Sequence, residues 1–333
     1  MNVIRASVLG YCAGVRRAVD IALHEAASAS HKVYTVGPLI HNPAVLERLK
    51  SRGVMVSEEE SEADTAVTPV RQDDVAIIRA HGITPKSEER LRERGFRITD
   101  ATCPKVKKNQ MLAKELAETG YRVFLAGEKL HEEIIGIQGY APGSIVVEDA
   151  IQAMQSARAL YAEQPAVKTA LIAQTTISID DYTAISETLQ TVFPAIMICN
   201  TICSATRERQ DAIRSLCKKA DAVIIAGGRN SANTRHLLAV AESVCAAAYA
   251  ASGVCKPVIL VEHAREIPSS FLEGTVYKTI GISAGASTPD DIIDEVERTL
   301  RGCRRLPGSR RRARPRQPAD STRQGDPRNA HPK

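Results

Sequence analysis

Three stretches of this chain repeat one pattern: a cysteine, two residues, then Val or Thr followed by a basic residue. They read Cys12-Ala-Gly-Val-Arg, Cys103-Pro-Lys-Val-Lys and Cys203-Ser-Ala-Thr-Arg, with the cysteines 91 and 100 residues apart. A helix-period apolar stripe follows, through Val15, Val19, Ala22, Leu23 and Ala26 in the first copy and Ile213, Leu216, Cys217 and Ala220 in the third. A β-rich run comes next (KVYTVG, YRVFLAG, DAVIIAGG), each leading to a polar loop: one with His41, one with His131 and Glu133, one with Ser231 and Asn233. A second β-rich run in each copy ends at His81, at Thr175-Thr176 and at Ser287. Self-similarity at such a period constrains the fold before any single residue is weighed.

The repeat predicts three similar α/β units: residues 1–100 with Cys12, 101–200 with Cys103 and 201–300 with Cys203, the last part of the third packing back on the first. Strands alternating with helices imply parallel sheets covered by helices. Ligands of such sheets sit beyond the carboxyl ends of the strands, where every polar loop named above falls. Three units in pseudo-threefold arrangement bring their cysteines to one centre.

A length of 333 residues and 44% hydrophobic composition suit a soluble protein with a well-buried core. No stretch is long and apolar enough for a membrane span, and the N-terminus lacks a signal-peptide pattern, so the expectation is a cytoplasmic protein. In that compartment eight cysteines point to metal, catalysis or packing rather than disulfides. The whole chain carries +5 and residues 301–333 alone carry +9, which leaves the body at −4. That Arg- and Pro-rich tail has one large apolar residue, Leu306, and reads as disordered. It has no aromatics among its arginines, which argues against nucleic acid as a partner.

A cysteine at a helix N-terminus meets the positive end of the helix dipole, which favours the thiolate that binds zinc or iron–sulfur clusters. Three protein ligands leave one position open, for a water on zinc or for substrate on one iron of a cluster. The other cysteines read as packing: Cys217 on a helix stripe, Cys245 and Cys255 as small hydrophobes, Cys303 at the root of the tail. Cys199 is the one competitor, and repeat position favours Cys203 over it. His24, His31, His236 and His263 read as solvated, and His331 lies in the tail. His41, His81 and His131 occupy post-strand loops and read as functional. Glu133 is a proton donor if burial raises its pKa, or else a carboxylate favoured by a helix start. The loops around Ser231, Asn233 and Ser287 can offer hydroxyl, amide and backbone N–H groups to phosphate.

Taken in order, GYCAGVRRA, IHN, AHG, DATCPKV, AQTTIS, TICSATRERQ, NSANT and AGASTPD resemble the 4-hydroxy-3-methylbut-2-enyl diphosphate reductase family over residues 1 to about 300. The resemblance implies one [4Fe–4S] cluster held by Cys12, Cys103 and Cys203 at the centre of the three units. It implies reductive removal of the substrate's allylic hydroxyl, bound to the open iron. The products are isopentenyl and dimethylallyl diphosphate, in the last step of the non-mevalonate pathway. It implies reduced ferredoxin or flavodoxin as electron donor. The family's proton-delivering glutamate falls on Glu133, with Thr176 and His131 in the same relay. Its diphosphate contacts fall on His41, His81, His131, Ser231, the backbone of Ala232, Asn233 and Ser287.

Two departures stand out. The family usually reads His-Pro-Glu, where this chain has His131-Glu132-Glu133, so Glu132 becomes a rival carboxylate. It usually reads Ser-Ser-Asn, where this chain has Ser231-Ala232-Asn233, one hydroxyl fewer for the diphosphate. Two other classes stay open on the residues alone: a zinc- or cluster-dependent hydratase or hydrolase, and a non-enzymatic redox sensor. Metal and sulfide content separates the first from the reductase, and turnover with a reduced viologen separates the second.

Overall fold

The computed structural model describes residues 1–27, 31–57, 71, 73–272 and 277–302. The tail from Cys303 onward lies outside the described residues. The chain opens with β1 (Asn2–Arg5), α1 (Ala13–Ala27), β2 (Val33–Val36), α2 (Pro43–Ser51), β3 (Val54–Ser57), β4 (Val75–Ile78), α3 (Pro85–Glu93) and β5 (Arg97–Asp100). It continues through α4 (Pro104–Glu118), β6 (Tyr121–Ala126), α5 (Glu132–Tyr140), β7 (Ile145–Val147), α6 (Ala150–Glu163), β8 (Lys168–Ala173), α7 (Ile179–Val192) and β9 (Met197–Ile198). The last stretch holds α8 (Ser204–Lys219), β10 (Ala222–Ala226), α9 (Ala232–Ser252), β11 (Val258–Val261), α10 (Ser269–Leu272), β12 (Thr279–Ala284) and α11 (Asp290–Gly302).

The strands pair in parallel as three four-stranded sheets, ordered β3-β2-β4-β5, β7-β6-β8-β9 and β11-β10-β12-β1. The order is the same each time, and in the third sheet β1 takes the fourth place. Asn2 lies opposite Thr279 and Arg5 opposite Ile282. Residues 2–5, grouped in the sequence with unit 1–100, therefore pair into the third sheet. The reason is topological: each fourth strand runs directly into the next unit's cysteine, β5 into Cys103, β9 into Cys203 and β1 into Cys12. Residues near the end of α11 also bond the first strand. Arg5 bonds Asp294 at 2.6 Å and Glu297 at 2.8 Å, and Arg301 donates to the Val3 carbonyl at 3.2 Å.

Strands covered on both faces need apolar side chains in succession. Val75–Ile78 and Ala222–Ala226 are buried throughout. Each sheet carries one apolar cluster on either face, around Phe124 and Ile134 in the second unit and around Ile224 and Ile213 in the third. The helices start on side-chain caps: Asn42, Thr84, Asp149, Ser178 and Ser231 each accept an N–H three residues on, and α2, α3 and α4 have Pro in the first turn. Cys217 and Cys245 share one apolar core, as their helix positions predict. Cys255, read as a small hydrophobe, is instead exposed in the loop beyond Gly253, the left-handed cap of α9. Among the described residues no helix is long and apolar enough to cross a membrane.

Candidate active site

The three repeat cysteines stand in one backbone setting. The Cys12 N–H donates to the Ala286 carbonyl at 3.1 Å, Cys103 to Ala80 at 2.9 Å and Cys203 to Thr175 at 3.1 Å. These acceptors follow the third strand of each unit, β12, β4 and β8. Each cysteine carbonyl then accepts the N–H four residues on, from Arg16, Lys107 and Arg207, and so starts α1, α4 and α8. Two main-chain bonds thus pin each thiol at a helix N-terminus, and all three line one cavity of about 710 Å³. Cys199, the competitor, packs against the core of the second sheet. A Cβ on Gly14 would lie 2.6 Å from Cys103 Sγ and 3.9 Å from Cys12 Sγ, so glycine is required where two sulfurs converge. Its neighbour Ala13 is exposed. Burial raises the Cys103 thiol. The Lys105 and Val106 N–H groups pull it back, charge at Cys12 and Cys203 raises it again, and the net shift is upward. The helix start assists the thiolate, and metal binding has to drive off the proton.

The same cavity is also lined by residues where α2, α5 and α9 start. His41 and His81 stack at 4.7 Å, and His131 meets them edge-on at 5.9 and 5.3 Å. Burial, then the charges of His41 and His131, hold His81 well below the usual histidine range. Burial lowers His131 to about 4. Both rings are therefore neutral near pH 7. The three rings can bring nitrogens within 4.8 Å of one another, close enough to share a cation. But His131 Nδ1 accepts the Glu133 N–H at 3.1 Å. That leaves the hydrogen of the neutral ring on Nε2, a donor, and suits the trio to anions. Ser231 caps α9 by accepting the Thr234 N–H at 3.4 Å, and Ser287 donates to the His41 carbonyl at 3.2 Å. Asn233 is buried and its amide Nδ2 has no partner.

Glu133 is fully buried. Its Oε1 accepts the Thr175 N–H and its Oε2 the Thr175 hydroxyl, both at 2.7 Å. Burial pushes its carboxyl up to about 7, against the two Thr175 bonds that favour the charged form. Thr175 lines the cavity and Glu133 does not, so the Thr175 hydroxyl is the link between them. Thr176, chosen from the sequence, also lines the cavity, but its hydroxyl accepts from Gln174 Nε2 at 2.8 Å. Nothing in two adjacent threonines reveals which faces the carboxyl. His236 was missed as well. Read as solvated, its ring is only 18% exposed, bonds the Thr176 carbonyl at 2.6 Å and leans on Glu128 at 3.5 Å.

A family model described as LytB protein matches residues 3–301. The chain belongs to the LytB family. A relative from Treponema denticola, named 4-hydroxy-3-methylbut-2-enyl diphosphate reductase, is 43% identical over 306 residues, 90% of this chain and 99% of that protein. One of the same name from Aquifex aeolicus is 36% identical, over 89% and 95% of the two chains. Among solved structures, the E-1-hydroxy-2-methyl-but-2-enyl-4-diphosphate reductase of Plasmodium falciparum superposes with a TM-score of 0.76 at 25% identity, over 92% of this chain and 89% of that one. A second, described as the terminal enzyme of the non-mevalonate pathway, gives 0.61 at 35% identity, over 91% and 100%.

Membership in the LytB family implies a metal cofactor, and the residues here fit one. Three thiols converge from three helix starts, and Gly14 leaves open the space between two of them. Arg209 lies 3% exposed beside them, giving its hydrogen bonds to the Gly10 carbonyl at 2.6 Å and the Ala205 carbonyl at 2.8 Å. Among the described residues no carboxylate forms an ion pair with it, and its Nε–H lacks an acceptor. Burial lowers its pKa and the charges of Cys12 and Cys203 raise it. A buried guanidinium needs an anion, and a metal–thiolate centre supplies one.

Proposed function

We propose that this chain reductively dehydroxylates 4-hydroxy-3-methylbut-2-enyl diphosphate. Two electrons and two protons enter, the allylic C–O bond breaks, water leaves, and isopentenyl or dimethylallyl diphosphate is the product. The observation that carries this reading is one cavity lined both by three thiols and by a group of anion donors, with a buried carboxyl of raised pKa linked to it through one hydroxyl.

Cys12, Cys103 and Cys203 are the ligands of a [4Fe–4S] cluster. Bound there, such a cluster supplies electrons and, with three protein ligands, one iron open to act as a Lewis acid on the substrate oxygen. Glu133 stores a proton near neutral pH, and the Thr175 hydroxyl passes it into the cavity, the role first assigned to Thr176. Protonated, Glu133 donates to the Thr175 oxygen while that hydroxyl donates into the cavity; ionised, it accepts from both the Thr175 N–H and the Thr175 hydroxyl, so it stays in place after giving up its proton. His41, His81, His131, Ser231, Asn233, Ser287 and the Ala232 N–H hold the diphosphate, with the N-terminus of α9 behind them. Arg17, Lys107 and Lys108 share an outer surface with Thr102 and Asp100, next to Cys103, and outnumber that one carboxylate, which pairs with Lys107 at 3.4 Å. That basic face supports an acidic one-electron carrier, reduced ferredoxin or flavodoxin, as the donor.

Anaerobically purified protein is expected to hold about four irons per chain with matching sulfide, and to turn over with reduced viologen. One zinc and no sulfide would overturn the reading.

A further inference from the structure

Every cavity group assigned above to the diphosphate is a donor, and one carboxylate stands among them. His41 Nε2 and Glu132 Oε2 are 3.0 Å apart. Burial would raise the Glu132 carboxyl, but the hydrogen bond from His41 outweighs it, so it stays ionised. The Glu132 side chain is 24% exposed, which leaves it a way out to water. Among the described residues His81 Nδ1 and Asn233 Nδ2 meanwhile have no hydrogen-bond partner. The pocket thus has open donors on two sides and an occupied one at His41.

We propose that Glu132 is an internal anion that fills the His41 position while no ligand is bound, so that diphosphate binding exchanges one anion for another. The inference rests on reading the pocket as a diphosphate site. A diphosphate oxygen that reaches His41 must displace the carboxylate, and Glu132 then turns toward solvent. The exchange forfeits about one charge-assisted hydrogen bond. Glu132 is therefore a specificity-determining residue rather than a proton donor. It weakens the pocket for small anions of low charge and leaves it to ligands that also reach His81 and Asn233.

Anaerobic calorimetry of the cluster-loaded protein with inorganic diphosphate tests this. Glu132→Gln removes the charge at constant shape, and Glu132→Pro places a residue suited to the first position of α5. Both are expected to bind diphosphate about tenfold more tightly, with substrate KM falling in parallel while kcat changes less than about twofold. Unchanged or weaker binding in both variants, beside a wild type that does bind, overturns the exchange alone. A wild type that binds no diphosphate overturns the pocket reading and the exchange with it.

Discussion

Glu133 is a carboxyl in a place no water reaches, and two properties follow. Below about pH 7 it holds a proton for the cavity, and above that it is charged and cannot give one. Turnover is expected to fall as pH rises through about 7, and Glu133→Gln to lose about 10²-fold or more in kcat while still binding diphosphate. A pH–rate profile beside the variant checks both. Its folded pKa is raised above the unfolded 4.5, so its stability contribution is complete below that value and is lost as pH climbs to about 7. Glu133→Gln lacks this titration. Relative to it, wild type should lose about 3 kcal/mol between about pH 4 and pH 8, read from denaturant midpoints. Thr175→Val should resemble Glu133→Gln in turnover, whereas Thr176→Val should keep most activity; the opposite order would return the relay to Thr176. Gly14→Ala forces a methyl group to 2.6 Å from Cys103 Sγ, so the purified variant should carry little iron.

At the scale of elements, the strands visible in the sequence were the ones buried on both faces. β2, β4, β6, β8, β10 and β12 read as β-rich runs, because a central parallel strand meets helices above and below and is mostly apolar. The edge strands were not legible. β9 is two residues long, β5 reads Arg-Ile-Thr-Asp, and β1 is half exposed. β5 and β9 pair with the strand just before them and only β1 with a distant one; such short, mixed segments carry too little periodicity to announce a strand. β1 shows the cost of that gap, since it completes the sheet of the third unit and not the first. Val3 is buried in that sheet's core. Val3→Asp should destabilise the protein by about 2 kcal/mol or more. Hydrogen exchange should quicken at Thr279–Ala284 and stay unchanged at Val75–Ile78, a contrast that mass spectrometry resolves.

For the whole molecule, the consequence is that three units contribute one cysteine each to a cavity that none of them contains. Cys12→Ser, Cys103→Ser and Cys203→Ser should each abolish cluster loading, although the residues are far apart in the chain, while Cys199→Ser should retain it. Iron per chain is the measurement, and loss of iron in the Cys199 variant would undo the assignment. By itself the sequence determined the threefold α/β plan, the three cysteines at helix starts, and the polar loops at the strand ends. It could do so because helix and strand periodicities are local and the unit is written three times. Only the tertiary structure decided that Thr175 faces Glu133, that Glu132 lies on His41, that Arg209 is buried beside the thiols, and that β1 closes the third sheet. Each of these is a contact between residues remote in the chain. Such contacts depend on burial and on the direction of one side chain at the end of an element, and neither periodicity nor spacing records them.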